Sequence, residues 1–524
     1  MKRLVTIVAA TTLLAASIQN TASASPTTPR TRGAAAIEWG RCHEPFLREA
    51  GARCAMLDMP LDHGDPTGPT IQIAISRIRH SVPEDEYQGV MLVNPGGPGG
   101  SGLGLATLGQ YVPRHVGDAY DWIGFDPRGV GSSEPSLSCI PNYFHGDRPQ
   151  YIPTTEAIEA KWLARSQRYA DACQENAPDL LPHMKTIDAV RDMDLIRQAL
   201  GVDQINYYGF SYGTYLGQVY ATLFPGKLRR AVFDGNVDPR NVWYEANLNQ
   251  DLAFDRNIQI WFGWLAEHDA VYGLGKTRAA VSRQFYAEEQ RMKRAPAGGI
   301  VGPAEWADAF IYVTYCECLW TYLGDVFSSW VHNRSVRKLV GAYRFADAPG
   351  DDNGFAVYLA VQCTDVQWPP DWATWEADNW ATHEVAPFYT WGNAWFNAPC
   401  LFWSAPAGVP TTVVGDSTPV LLISQTLDAA TPYAGSLYVR SVFPNSVLIS
   451  EPGGTTHAGS LFGNACVDNK IAKYLKTGVL PPRQPGDEAD VECEPLPRPE
   501  PESRDRAMRP GVTIALRLAS VARD

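Results

Sequence analysis

The sequence predicts an α/β protein: a mostly parallel sheet of eight strands with a large, mainly helical, tryptophan-rich cap inserted after the sixth. Three observations lead there. Short apolar runs alternate with helical patterns along the chain. One such run, 204–208, ends in the pentapeptide Gly209-Phe210-Ser211-Tyr212-Gly213 and is followed by a helical pattern over 214–224. Between residues 239 and 409 the composition changes abruptly, and that stretch holds thirteen of the sixteen tryptophans.

The strands are expected at 54–59, 69–79, 89–94, 119–126, 204–209, 229–234, 419–425 and 445–450. Ile71, Ile73 and Ile75 alternate along the second run, as in a half-buried antiparallel strand, whereas the later runs are continuously apolar, as in a parallel sheet covered on both faces. A helix over 187–200 closes on Gly201 as its C-terminal cap. The pentapeptide has the spacing of a nucleophile elbow. Serine sits on a sharp strand-to-helix turn at strained backbone angles, and its flanking glycines let the turn close. With that motif the expected architecture is an α/β-hydrolase core.

In such a core the acid and the histidine of a triad follow the serine in chain order, each after a late strand. Asp428, in Leu427-Asp428-Ala429-Ala430-Thr431-Pro432, follows the strand 419–425 and is the expected orienting acid. His457, after Pro452-Gly453-Gly454-Thr455-Thr456, follows the last strand and is the expected general base. Asp234 and Asp238, after the sixth strand, are the rival acids. The oxyanion donors are expected from the backbone amides of Tyr212 and of Gly97, in the loop Asn94-Pro95-Gly96-Gly97-Pro98-Gly99-Gly100-Ser101-Gly102; Gly96 is the second choice, and Pro98 has no N–H to offer.

The same loop supports a competing reading. Gly97, Gly99 and Gly102 match the dinucleotide fingerprint, with Asp126 as the ribose acid of an oxidoreductase. Against it, two strands already precede the loop, and a soluble nicotinamide cofactor is diluted away from an exported enzyme. Asp126-Pro127-Arg128-Gly129-Val130-Gly131-Ser132 reads instead as a structural turn carrying an Arg–carboxylate pair. No cofactor and no metal are expected: the chain has neither a CxxC nor an HExxH motif.

Lys2, Arg3, the apolar run 4–16 and Ala22-Ser23-Ala24 form an export signal, so residues 1–24 are expected to be removed and the protein secreted. The further divisions are a leader or pro-segment at 25–36, the core at 37–238 and 410–494, the cap at 239–409, and a C-terminal tail at 495–524. No membrane anchor is expected, because no run reaches the length of a spanning helix. A formal charge of −13 argues against a nucleic-acid partner. Ten cysteines in an exported chain point to disulfides. Proximity suggests Cys42 with Cys54, Cys139 with Cys173 and Cys466 with Cys493; Cys316 and Cys318, too close to bridge each other, are each expected to take Cys363 or Cys400. Most of the cap tryptophans, among them Trp261, Trp264, Trp306, Trp320, Trp372, Trp375, Trp391 and Trp395, are expected to form the insert's own core, with a few lining a cleft over Ser211.

The glycine loop, the run Gly124-Phe125-Asp126-Pro127-Arg128-Gly129-Val130-Gly131, the elbow with Thr214-Tyr215-Leu216-Gly217, the Asp428 loop and His457 together resemble the secreted bacterial tripeptidyl aminopeptidases, serine peptidases related to prolyl aminopeptidases. The resemblance runs over about 37–493 and includes the cap segments 243–251 and Cys363-Thr364-Asp365. It implies removal of tripeptides from free N-termini, with Ser211, Asp428 and His457 in the family's triad positions. Such an exopeptidase must also hold the substrate's ammonium, about 10 Å from the scissile carbonyl at roughly 3.3 Å per residue. Asp365 is the expected carboxylate, with Glu245 and Glu376 behind it. A secreted carboxylesterase with the same triad would not need one and is the alternative.

Overall fold

The structure, a computed structural model, describes residues 37–501 apart from 147, 348 and 416. The expected export signal and leader, and the expected tail beyond 501, lie outside the described residues. A single ten-stranded sheet organises the rest: β1 (Gly40–Arg41), β2 (Arg53–Pro60), β3 (Thr70–Ile78), β4 (Val90–Asn94), β5 (Asp121–Phe125), β6 (Ile205–Phe210), β7 (Leu228–Asp234), β8 (Val420–Gln425), β9 (Ser446–Glu451) and β10 (Val491–Glu492), in the order β1-β2-β3-β5-β4-β6-β7-β8-β9-β10. The eight expected strands are β2 to β9. The two-residue edge strands β1 and β10 are additions too short to leave a periodic signal.

The burial patterns explain the pairing. β3 is antiparallel to both β2 and β5 and carries Ile71, Ile73 and Ile75 into the core. From β5 onward neighbours run parallel, and β4, β5, β6, β8 and β9 are buried at every residue, as helices on both faces require. The helix over 187–200 is found at Thr186–Ala199, with Gly201 at a φ of 71° just beyond it. Because the parallel strands share one direction, the loops after β4, β6, β7, β8 and β9 all leave the same edge of the sheet, which is where such sheets hold ligands.

Between β7 and β8 the chain forms nine α-helices among the described residues: Tyr244–Glu267, Asp269–Tyr272, Arg278–Met292, Pro303–Ile311, Trp320–Asn333, Val336–Asp347, Asn353–Asp365, Trp372–Val385 and Thr390–Asn397. Trp261, Trp264, Trp306 and Trp320 pack into a hydrophobic core of these helices, while Trp391 and Trp395 pack with Trp162 of the helix Glu156–Asn176. The insert is not an isolated lobe. Trp375 and Phe355 belong to the same core as Ile73 and Leu92 of the sheet.

A buried ionic cluster ties insert and sheet layer together. Arg148, between β5 and β6, reaches Glu305 at 2.9 Å, Asp347 at 2.9 Å and Asp308, and the hydroxyls of Tyr151 and Tyr389 donate to Asp308 as well. Three carboxylates around one guanidinium are tolerable out of water only because nearly every oxygen has a donor.

All ten cysteines are bridged. Cys42–Cys54, Cys139–Cys173 and Cys466–Cys493 pair as proximity suggested, but Cys316 joins Cys318, and Cys363 joins Cys400. The expectation that adjacent cysteines avoid each other fails because the backbone at Cys316 is extended (φ −148°, ψ 124°), separating the two Cα atoms by 5.1 Å, within the span of a bridge. The start of the tail is also built in: Trp264 Nε1 donates to the carbonyl of Pro499 at 3.1 Å, and Arg498 lies over the Trp320 ring. No helix among the described residues is long and apolar enough to cross a membrane.

Replacing Arg148 by Met leaves three acids buried without their cation and should lower the unfolding free energy by about 3–5 kcal/mol. Urea denaturation followed by tryptophan fluorescence measures it, and an unchanged midpoint would show that the cluster does not brace the insert.

Candidate active site

Ser211 occupies the tip of the turn between β6 and the helix Tyr212–Leu223, at φ 54° and ψ −127°. These angles cost energy for any residue with a side chain and persist only where the surroundings over-determine them. The surroundings do so here. The Ser211 amide donates to the carbonyl of Asp234 at 3.0 Å, and its own carbonyl accepts from Thr214 Oγ1 at 2.7 Å. The glycine loop presses directly on the turn: a Cβ at Gly213 would fall 2.7 Å from the Asn94 carbonyl oxygen, and one at Gly96 would fall 2.6 Å from that of Phe210. This close approach is what the motif's small residues permit.

Gly97 and Tyr212, the expected oxyanion donors, line one cavity of about 360 Å³ together with Ser211. The Tyr212 amide opens the helix, where amides have no intrahelical acceptor. Asp126 fixes the far end of the glycine loop. It accepts from Ser101 Oγ at 2.6 Å, from the Leu103 amide at 3.3 Å and from the Ser132 amide at 2.9 Å, and burial pushes its pKa up to about 6. These bonds correct the ribose-acid reading, because the carboxylate is consumed inside the loop it was supposed to face across a cofactor. Arg128 pairs with Asp192 through two bonds of 2.8 Å, as expected of a structural turn.

After β8, Asp428 is almost wholly buried yet fully supplied with donors: the amides of Ala430 and Thr431 at 2.9 and 3.0 Å, Thr431 Oγ1 at 2.9 Å, and His457 Nδ1 at 2.8 Å. The His457 ring is positioned from its other sides by Tyr315, whose carbonyl accepts the His457 amide at 2.7 Å and whose ring meets the imidazole edge-on at 5.9 Å. Nε2 of His457 is buried and makes no hydrogen bond among the described residues, so one nitrogen is committed to Asp428 and the other is available for proton transfer. Burial by itself lowers the imidazole pKa; the Asp428 carboxylate, aided by Asp234, outweighs it, and the net position is above the usual 6.5.

The rival acids are occupied elsewhere. Asp234 accepts from the Ser460 amide at 2.7 Å, and Asp238 is clasped by Arg240 at 2.6 and 2.9 Å. The three candidates for amine binding do not line the cavity. Asp365 is buried and spent on the Thr186 amide and hydroxyl, both at 2.6 Å, and on Trp243 Nε1 at 3.0 Å; burial pushes its pKa up to about 6. Glu245 is exposed, and Glu376 is half-buried on the helix Trp372–Val385. In their place the cavity wall presents the amides of Asn247, Gln362 and Asn393, and Asn393 Nδ2 donates at 3.0 Å to Asp251, a buried carboxylate in a smaller cavity that shares both asparagines. Of the tryptophans, Trp243 alone among the described residues lines the main cavity.

Thr431 and Tyr315 were not singled out from sequence. Thr431 lies in the same loop as Asp428, three residues on, a spacing suited to a local side-chain turn. Tyr315 comes from the insert and left no local signal.

Residues 89–308 match the family model of the alpha/beta hydrolase fold, and residues 386–508 that of a TAP-like protein. The sheet topology agrees, and the chain is a serine hydrolase of the α/β-hydrolase fold. The tripeptidyl aminopeptidase of Streptomyces coelicolor is 39% identical over 481 residues, which span 89% of this chain and 87% of the relative. Serine protease Hip1 of Mycobacterium tuberculosis is 30% identical over 85% of this chain and 90% of its own, and carboxylesterase B of the same organism is 30% identical over 88% and 92%. The chain belongs to the tripeptidyl aminopeptidase family.

An NMR titration of His457 should give a midpoint above 6.5 in the native protein and a lower one in Asp428→Asn, where burial acts without its main counter-charge. An unmoved midpoint would uncouple the two side chains.

Proposed function

We propose that the chain is a secreted serine exopeptidase that releases tripeptides from unblocked peptide N-termini through Ser211, His457 and Asp428. The observation that carries the reading is the 39% identity with a tripeptidyl aminopeptidase along 89% of the chain. On the structural side the reading is supported by the bonded pair of His457 and Asp428, by the unbonded Nε2 of His457 and by a serine at an elbow. Neutral His457, held by Asp428, takes the proton of Ser211 as its oxygen attacks the third peptide carbonyl. The amides of Gly97 and Tyr212 receive the oxyanion, each contributing roughly 3 kcal/mol in comparable sites. His457 then protonates the leaving amine, and water releases the acyl group from Ser211.

Residues 239–409 act as the cap over this chemistry and set the length of the product. With Asp365, Glu245 and Glu376 off the cavity, the substrate's ammonium is assigned to the amide oxygens of Asn247 and Asn393; Asp251, whose pKa burial raises well above the usual carboxylate range, orients Asn393 by accepting its Nδ2. Five disulfides support an oxidising destination, in keeping with the export signal at 1–24.

The carboxylesterase reading has one observation in its favour: Asp238 is the only carboxylate among the described residues that line the cavity, and it is paired with Arg240. A free tripeptide anilide compared with its N-acetylated form decides. The exopeptidase should prefer the free amine by at least about 100-fold, the scale of a missing charge-assisted contact, and equal rates would favour the esterase. Ser211→Ala should abolish both turnover and fluorophosphonate labelling. Because the base must be neutral, kcat/KM should fall as pH drops through the raised His457 pKa, so the acid limb should lie above pH 6.5; Asp428→Asn should cost about 10⁴-fold in kcat.

A further inference from the structure

The cavity beside Ser211 carries an imbalance of charge that the peptidase reading does not use. Three formal charges line it: Asp238, Arg240 and Arg256. Asp238 and Arg240 neutralise each other. Arg256 does not share in this and forms no ion pair among the described residues, although it is half-buried on the helix Tyr244–Glu267. Its Nε donates to Asn257 Oδ1 at 3.0 Å, and Nη2 donates to the carbonyls of Leu427 at 2.6 Å and Asp428 at 3.3 Å. Nη1 makes no bond among the described residues. A guanidinium remains protonated at any working pH; burial is costly to it, and the nearby Asp428 carboxylate, already engaged by His457, offsets only part of that cost, so the Arg256 pKa still lies below the ordinary value. In a chain of net charge −13, a cation that lines the cavity without an ion pair among the described residues is a place for a ligand that brings the anion.

The position narrows what that ligand is. Arg256 grips the loop that holds Asp428, and Asp428 holds His457 from its Nδ1 side. The imidazole must face both Ser211 and the nitrogen it expels, so the departing part of the substrate passes the histidine; Arg256 lines the same cavity nine residues along its helix from Asn247, and its neighbour Asn257 donates to the carbonyl of Thr314, next to the Tyr315 that meets the imidazole. We propose that Arg256 is a specificity residue that selects peptides whose departing segment bears a carboxylate next to the scissile bond. The carboxylate comes either from an acidic side chain or, in a tetrapeptide, from the free C-terminus. A guanidinium fork suits either, because it can donate two parallel bonds to one carboxylate. The proposal rests on the peptidase reading, since an ester substrate has no such segment.

Four substrates separate the two sources: Ala-Ala-Ala followed by aspartyl amide, asparaginyl amide, alanine free acid or alaninamide. The wild type should favour the acid over its neutral partner by about tenfold in kcat/KM, in the side-chain pair, the terminal pair or both. Arg256→Gln should bring that ratio to near one, and Arg256→Lys should keep part of it. Ratios near one in the wild type, or a ratio that Arg256→Gln leaves intact, would overturn the proposal. So would an equal loss on all four substrates in both variants, which is what a mere brace of the acid loop would give. Should mass spectrometry find no tripeptide release, the same four peptides are ranked by how well they protect Ser211 from a fluorophosphonate. A carboxylate preference there that Arg256→Gln removes sustains the role of Arg256 even as the exopeptidase reading falls.

Discussion

The contact between the glycine loop after β4 and the elbow after β6 is the constraint on which the rest of the molecule depends. The two strands are parallel neighbours in the sheet, so their exits lie side by side, and the approach of Gly96 and Gly213 to the opposite backbones closes the gap until no side chain fits. Ser211 is thereby pinned at backbone angles it would not choose, and the amides of Gly97 and Tyr212 come to border one cavity with its hydroxyl. Stability is spent at this point and recovered in the buried strands around it.

The later loops are held by different means. Asp428 is satisfied by its own loop before it ever reaches the histidine, which keeps a buried carboxylate supplied with donors whether or not substrate is present. The helix Tyr244–Glu267 then clamps that loop from above: Arg256 and Asn257 both donate to the Leu427 carbonyl. Tyr315 does the same for the histidine loop. The insert is therefore a structural support of the loops after β8 and β9, and the Arg148 cluster ties it to the segment between β5 and β6.

The sheet was legible because its strands are short, continuously apolar and bounded by turn residues; only β1 and β10, two residues each, escaped. That Ser211, Asp428 and His457 each follow a strand in a fixed order is a local signal that survives without coordinates, and the structure keeps that order after β6, β8 and β9. The polar groups that line the cavity leave no such signal. Asp365 looked available in sequence, but its burial beside Thr186 and Trp243 is a tertiary fact, and Asn247, Asn393 and Asp251 come together from helices more than a hundred residues apart. The pairing of Cys316 with Cys318 was missed for a related reason: spacing alone says nothing of an extended backbone between two turns.

The last described residues carry a consequence for handling the protein. Arg498 stands 3.8 Å from Glu317, whose carboxylate accepts from Thr455 at 2.8 Å and whose amide donates to Thr456 at 3.3 Å, the two residues just ahead of His457. Arg498 is thus linked to the loop that bears the imidazole by a relay of two contacts. A fusion partner spliced on before residue 498, or a truncation that reaches Arg498, removes the outer link of that relay although it lies outside the sheet altogether.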